Sequence, residues 1–263
     1  MARRWTKDEE NFYREQLHTL YVVKNKSIGE IAIDLGIAQA TVFDRMKRLD
    51  IESTPKNKLK YRNRRNDVCL PRQSVQLAEF LGIMLGDGHI SHFQTIVTLG
   101  TKELEYVEYV QALMQELFKV KATISIKKSG YRDVYIGSTL ITKWLKEQGL
   151  VSNKVAAQVG VPKWIMSDKK YMKAFARGFF DTDGSVYNLR FGIQISLTNR
   201  SAPLLLALQD MLRKLGYTVS ETSAYRVYIT KREEVKRFFK EVAPANLKHR
   251  RRFDKFSRRY PSG

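Results

Sequence analysis

The chain has 263 residues, enough for one large domain or two smaller ones, and its 47 Lys plus Arg against 27 Asp plus Glu leave a formal charge of +20. Charge of that size points first to a polyanion, of which nucleic acid is the commonest. The single Cys69 excludes an internal disulfide and a cysteine-based zinc site, no apolar run approaches a membrane span, and the basic N-terminus is no secretory signal, so a cytoplasmic protein with no membrane partner is expected.

Thr6-Lys7-Asp8-Glu9 has the pattern of a capping box and opens a helix that carries Phe12, Leu17, Leu20 and Tyr21 towards Val23. A short helix from Ser27 to Leu35, a turn at Gly36 and a second helix with Val42, Met46 and Leu49 inward follow. This arrangement resembles the helix-turn-helix of bacterial and archaeal DNA-binding domains. The resemblance implies that the second helix enters the major groove, with Gln39, Ala40, Thr41, Asp44 and Arg45 towards the bases and Lys47 and Arg48 nearer phosphate. The alternative is a three-helix module for protein contacts.

Residues 54–72 read as a basic linker between that domain, 1–53, and the rest. Between Lys56 and Arg65 stand Lys56, Lys58, Lys60, Arg62, Arg64 and Arg65 without an acid and with few apolar neighbours, so the segment cannot bury a core. It suits an arm along DNA phosphates, with Arg62 or Arg64 as minor-groove readers.

One stretch then occurs twice. Phe80-Leu81-Gly82-Ile83-Met84-Leu85-Gly86-Asp87-Gly88 returns in altered form as Ala176-Arg177-Gly178-Phe179-Phe180-Asp181-Thr182-Asp183-Gly184. Each copy reads as an apolar helix ending at an Asp, with Gly88 or Gly184 suited to the left-handed residue beyond the last turn. Small residues on one face (Gly82 and Gly86; Gly178 and Thr182) let two backbones approach. Two helices side by side, with Asp87 and Asp183 meeting at their ends, are therefore expected.

Both stretches resemble the LAGLIDADG motif of homing endonucleases, the first in its form ending Gly-Asp-Gly and the second close to the form of inteins and archaeal intron enzymes. The order of elements after each copy agrees, and matching triplets such as Val134-Tyr135-Ile136 and Val227-Tyr228-Ile229 set its register. In the first half, 73–166, strands are expected at His92–Leu99, Thr123–Lys127 and Val134–Ile136, with helices at Glu103–Phe118 and Leu140–Gln148. In the second, 167–263, strands are expected at Arg190–Thr198, Thr218–Glu221 and Val227–Ile229, with helices at Leu204–Leu215 and Glu233–Val242. The fold class is α+β: a pseudo-twofold duplicated αββαββα domain with two antiparallel sheets, preceded by a small all-α helix-turn-helix domain. The resemblance implies that the sheets form a saddle over double-stranded DNA and that the chain acts as a monomer with internal pseudo-twofold symmetry.

Alternation puts Val97, Leu99, Ile193, Ile195 and Leu197 inward. The open, polar faces then carry His92, Gln94, Thr98 and Tyr135 in one half and Arg190, Gln194, Ser196, Thr198, Arg226 and Tyr228 in the other, a surface suited to the major groove. Some relatives carry a Gln at the end of the second strand; Thr101 and Asn199 stand at the corresponding places, followed by Lys102 and Arg200, and Lys102, Asn199 and Arg200 are taken with the DNA-facing set.

Two carboxylates forced together at helix C-termini repel, and a divalent cation relieves them. The carboxylates of Asp87 and Asp183, with oxygens at Gly86 and Thr182, suit a hard ion, Mg²⁺ with Mn²⁺ as substitute. The family commonly supplies a Lys after the last helix of each half, and Lys154 and Lys248 occupy those places as catalytic partners. What the resemblance implies is a single-chain, site-specific endonuclease that cuts both strands across the minor groove and leaves short 3′ overhangs. The alternatives are a non-cleaving DNA-binding regulator of the same fold and an RNA splicing maturase.

Overall fold

The first helix, α1 (Lys7–His18), begins as its capping box requires: Glu9 N–H donates to Thr6 Oγ1 at 3.2 Å, and Thr6 N–H donates to Glu9 Oε2 at 2.9 Å. The computed structural model describes residues 5–52, 67–190 and 192–258, which fall in two compact units, Met1–Arg64 and Arg65–Gly263. In the first unit α1 runs into a wide π turn, Thr19–Val23, and is followed by α2 (Ile28–Leu35) and α3 (Gln39–Arg48). Gly36 ends α2 with φ of 63°, a left-handed conformation that favours glycine. Leu17, Tyr21, Ile31, Val42, Met46 and Leu49 form the core. Phe12 and Val23, expected to follow the inward stripe, are instead 60% and 69% exposed. Phe12 lies about 140° around the helix from Leu17, and the π turn shifts the phase that Val23 would have needed.

The second unit repeats one set of elements. Its first half runs α4 (Val75–Leu85), β1 (Gly88–Ile90), β2 (Gln94–Leu99), α5 (Leu104–Phe118), β3 (Thr123–Ile126), β4 (Arg132–Gly137) and α6 (Thr139–Glu147). A 3₁₀ turn, Lys163–Ser167, leads to the second half: α7 (Lys169–Asp183), β5 (Gly184–Leu189), β6 (Gly192–Thr198), α8 (Ala202–Lys214), β7 (Arg226–Ile229), α9 (Arg232–Glu241) and α10 (Leu247–Ser257). The architecture is α+β, with one antiparallel sheet in the order β1-β2-β4-β3 and a second in the order β5-β6-β7. Equivalent pairings, Gly88 with Val97 and Gly184 with Leu197, anchor each sheet to its motif helix. Among the described residues no helix is long and apolar enough to cross a membrane.

Three expectations are corrected here. Thr218–Glu221 forms no strand: Ser220 N–H donates to Tyr228 O, but Ser220 Oγ takes the Tyr228 N–H in place of a carbonyl, so the ladder stops after one backbone bond. His92 is not in β2, because Ser91 and Gln94 close a tight turn that leaves His92 and Phe93 at its tip. Arg190 likewise lies in the turn between β5 and β6.

α4 and α7 pack side by side, and backbone meets backbone at their glycines. A Cβ on Gly82 would lie 2.3 Å from Phe175 O, and one on Gly178 would lie 2.1 Å from Glu79 O. Only the absence of a side chain allows that approach. Phe80, Phe175, Phe179 and Phe180 are fully buried around the pair, so the helices form the centre of the domain core.

Candidate active site

The paired helices end together. Asp183 is the last residue of α7, whereas Asp87 lies in the turn just beyond α4, and each is followed directly by a strand. That junction explains the following glycines differently from the left-handed cap expected. Gly184 is extended, at φ −88° and ψ 159°, and a Cβ there would lie 2.2 Å from Phe180 O; one on Gly88 would lie 2.4 Å from Met84 Cα. The glycines are required because the strand leaves through its own helix end.

Asp87 and Asp183 are both largely withdrawn from water. Burial pushes the Asp183 carboxyl up to about 6, and the neighbouring Asp87 carboxylate pushes in the same direction, while Lys154, Asn199 and Lys248 oppose them. Burial also raises Asp87, with Lys248 and Lys154 opposing and Glu103 adding to the rise. Asn199 Nδ2 donates to Asp183 Oδ2 at 3.2 Å, which places it beside the carboxylates.

Lys154 is planted at the end of α4. Its Nζ donates to the carbonyls of Met84 (3.1 Å), Gly88 (2.8 Å) and Gly86. The ammonium thus satisfies carbonyls that a helix terminus leaves free, and burial lowers its pKa against the pull of Asp183 and Asp87. The Gly86 carbonyl, expected to face a metal ion, is therefore engaged by a lysine. Thr182 stays within α7, where its hydroxyl donates to Phe179 O (3.0 Å) and Gly178 O (3.2 Å).

Lys248 is held differently. Its Nζ pairs with Glu103 Oε1 at 2.7 Å and keeps 34% of its side chain exposed. Asn246 caps α10 by accepting Lys248 N–H, while its Nδ2 donates to Glu103 Oε1 (2.7 Å) and Asp181 O (3.0 Å). Asp181 accepts the N–H groups of Ala245 (2.8 Å) and Asn246 (3.0 Å), and burial pushes its carboxyl up to about 7. Glu103 and Asp181 thus seat the start of α10, and with it Lys248. Sequence reasoning missed Glu103, Asn246 and Asp181 in this role. The second acid in Phe-Phe-Asp-Thr-Asp was a usable signal for Asp181; nothing in the sequence marks Glu103.

On the first sheet Gln94, Thr98 and Tyr135 are half-buried on the expected face, but Thr98 Oγ1 donates to Asp133 at 2.7 Å and Asp133 also pairs with Lys127 at 2.9 Å. On the second, Gln194, Thr198 and Tyr228 are half-buried and Arg226 is exposed. Ser196, expected on the open face, is completely buried: it is a small residue between Ser185 and Tyr228 in the register, with Tyr187 beside it. Lys102 and Arg200 are exposed in the turns before α5 and α8. In the first unit Gln39 is exposed and Thr41 half-buried, while the Arg45 guanidinium lies over the Tyr13 ring at 4.5 Å. Arg62 and Arg64 lie outside the described residues.

The family model of the LAGLIDADG-like domain matches residues 74–154 and 170–243. The chain is 26% identical over 173 residues to the replication factor C small subunit of Methanocaldococcus jannaschii, covering 64% of this chain and 9% of that protein. It is 22% identical over 178 residues to the probable cell division protein WhiA of Lactococcus lactis subsp. cremoris, covering 64% and 58%. The chain therefore spans less than two thirds of the length of either relative. Among solved structures, I-DmoI in complex with DNA and Mn aligns with a TM-score of 0.47 at 17% identity, covering 66% of this chain and 98% of that one.

Proposed function

The chain belongs to the LAGLIDADG-like domain family, and on that premise we propose that it is a site-specific double-strand DNA endonuclease whose helix-turn-helix adds affinity and target length. One observation carries the reading: two carboxylates, Asp87 and Asp183, are kept together and partly dehydrated at the shared end of α4 and α7, where burial raises both and the Asp87 carboxylate makes Asp183 harder still to ionise. Packing alone has no use for such a pair; a reaction on a phosphodiester has.

The donor set fits a hard divalent cation through the carboxylates, which have oxygen only and an excess of negative charge to share. Held by Asp87 and Asp183, Mg²⁺ would neutralise phosphate charge and supply an acidic water. The remaining work falls to the chain. Asn199 orients Asp183 through Oδ2. Lys154, committed to three carbonyls, keeps the α4 end neutral enough for Asp87 to ionise. Lys248, ion-paired but partly exposed, is the cation free to exchange Glu103 for a phosphate oxygen. The open faces of the two sheets, with Gln94, Tyr135, Gln194, Arg226 and Tyr228, supply base and backbone contacts.

The test is capture of double-strand breaks from a randomised DNA library, with and without Mg²⁺, using the native chain and Asp183→Asn. Mg²⁺-dependent breaks at one long consensus, absent in the variant, are expected. A bound consensus without breaks would establish the second reading, a DNA-binding regulator. That reading is favoured by one feature, the Lys154 ammonium already on the Gly86 carbonyl.

A further inference from the structure

The two motif helices share one polar contact that their pseudo-twofold does not repeat. The reciprocal glycine contacts equate Gly82 with Gly178 and Glu79 with Phe175, and the same offset equates Leu81 with Arg177. Glu79 of α4 and Arg177 of α7 pair at 3.2 Å, with the Glu79 side chain only 4% exposed. At the symmetry-related place stand Phe175 and Leu81, both fully buried. Tyr109 of α5 donates its hydroxyl to Glu79 Oε1, and Arg177 Nε donates to Val242 O at 2.9 Å. Burial drives the Glu79 carboxyl up, and Tyr109 and Arg177 offset that cost.

The interface is thus charged on one side of its axis and apolar on the other, so its two surfaces are complementary to each other and neither is complementary to itself. Two α4 surfaces in the same crossing would set Glu79 against Leu81 at both ends, leaving two buried carboxylates without a guanidinium. Two α7 surfaces would set Arg177 against Phe175 twice. We propose that Glu79, Arg177 and Tyr109 form a pairing code: the α4 surface accepts only an α7 surface, and a second copy of the chain is barred from pairing like helix with like.

The code is tested by separating its halves between two full-length chains. Glu79→Leu leaves Arg177 uncompensated and Arg177→Leu leaves Glu79 uncompensated, so each variant alone should lose on the order of 10 °C in Tm. Cys69 is the chain's one cysteine and is exposed, so it takes a donor dye in one variant and an acceptor in the other. Unfolded and refolded together, the two should exchange halves, restoring Glu79 against Arg177 between chains. Energy transfer should then rise several-fold above that of native chains refolded as a donor and acceptor mixture. If a variant fails to fold alone, the mixture should recover folded protein. Transfer no higher than for the native mixture, or no recovery on mixing, would overturn the proposal. None of these readouts depends on DNA or on cleavage.

Discussion

The two halves of the duplicated domain deliver the same carboxylate with different supports. At the end of α4 a charged group, Lys154, closes the helix by taking three carbonyls. In the last turn of α7 the Asp181 carbonyl meets uncharged groups instead: Asn246 Nδ2 donates to Asp181 O, and His249, whose pKa burial lowers to about 3, stands 3.4 Å from the same oxygen. Both aspartates feel Lys154 and Lys248, so the pair shares two ammonium groups. Duplication preserved what symmetry demands, the glycine crossing and the carboxylates, and left each half to neutralise its helix end in its own way.

The largest expected effect concerns the symmetric part. Gly82→Ala and Gly178→Ala each drive a methyl into backbone of the other helix, and each should cost at least about 3 kcal/mol in denaturant unfolding. Their losses should be similar. Gly86→Ala should cost less, since its methyl meets the Thr182 side chain and not backbone. Clearly unequal losses for Gly82 and Gly178 would show that the crossing is not reciprocal.

Lysine replacement probes the asymmetric part. Lys154→Met strands carbonyls and removes the buried counter-charge of both aspartates, at a cost of about 3 kcal/mol. Lys248→Met breaks a half-exposed pair with Glu103 and should cost about 1 kcal/mol, while abolishing cleavage if this lysine meets phosphate. Equal losses would remove the distinction between the two ends.

Asp183→Asn should make the chain more stable while stopping cleavage. The native carboxyl has a folded pKa of about 6 against 3.8 for the free side chain, so between those values the folded state holds a proton that the unfolded state has lost. Stability from this group therefore rises as pH falls from about 7 towards 4. In chelator at pH 8 the variant should gain roughly 2 kcal/mol, and the gain should vanish by about pH 4. A gain independent of pH would mean that neither burial nor the Asp87 carboxylate raises the Asp183 carboxyl.

The smallest effect lies at helix starts. Ser138 caps α6 by accepting Ile141 N–H at 3.3 Å, so Ser138→Ala should cost about 1 kcal/mol. Lys231, at the corresponding start of α9, makes no side-chain cap, and Lys231→Ala should change thermal stability little.

Features set by neighbours in the chain are legible in the amino-acid sequence itself. The capping boxes at Thr6 and Ser27, the left-handed Gly36, and the inward phase of Leu17, Val42 and Met46 depend on hydrogen bonds or periodicities within a few residues. The paired helices are legible too, since two glycine faces and two aspartates repeat in one register. Features that depend on a distant partner are not. His92 and Arg190 fall into turns whose limits the opposite strand sets, and Ser196 is covered by neighbours on its flanking strands.

The site divides along the same line. Asp87 and Asp183 follow from residue type and spacing, because the motif repeats in one register, whereas Lys154 and Lys248 are expected from the resemblance to the LAGLIDADG motif. What these cations touch is a matter of contacts made across long stretches of chain, 66 residues for Lys154 with Gly88 and 146 for Arg251 with Glu105. Hydrophobic periodicity orients a helix but says nothing of which carbonyl a distant ammonium will reach. That choice belongs to packing, where desolvation penalises every unmatched charge and so selects one partner for each.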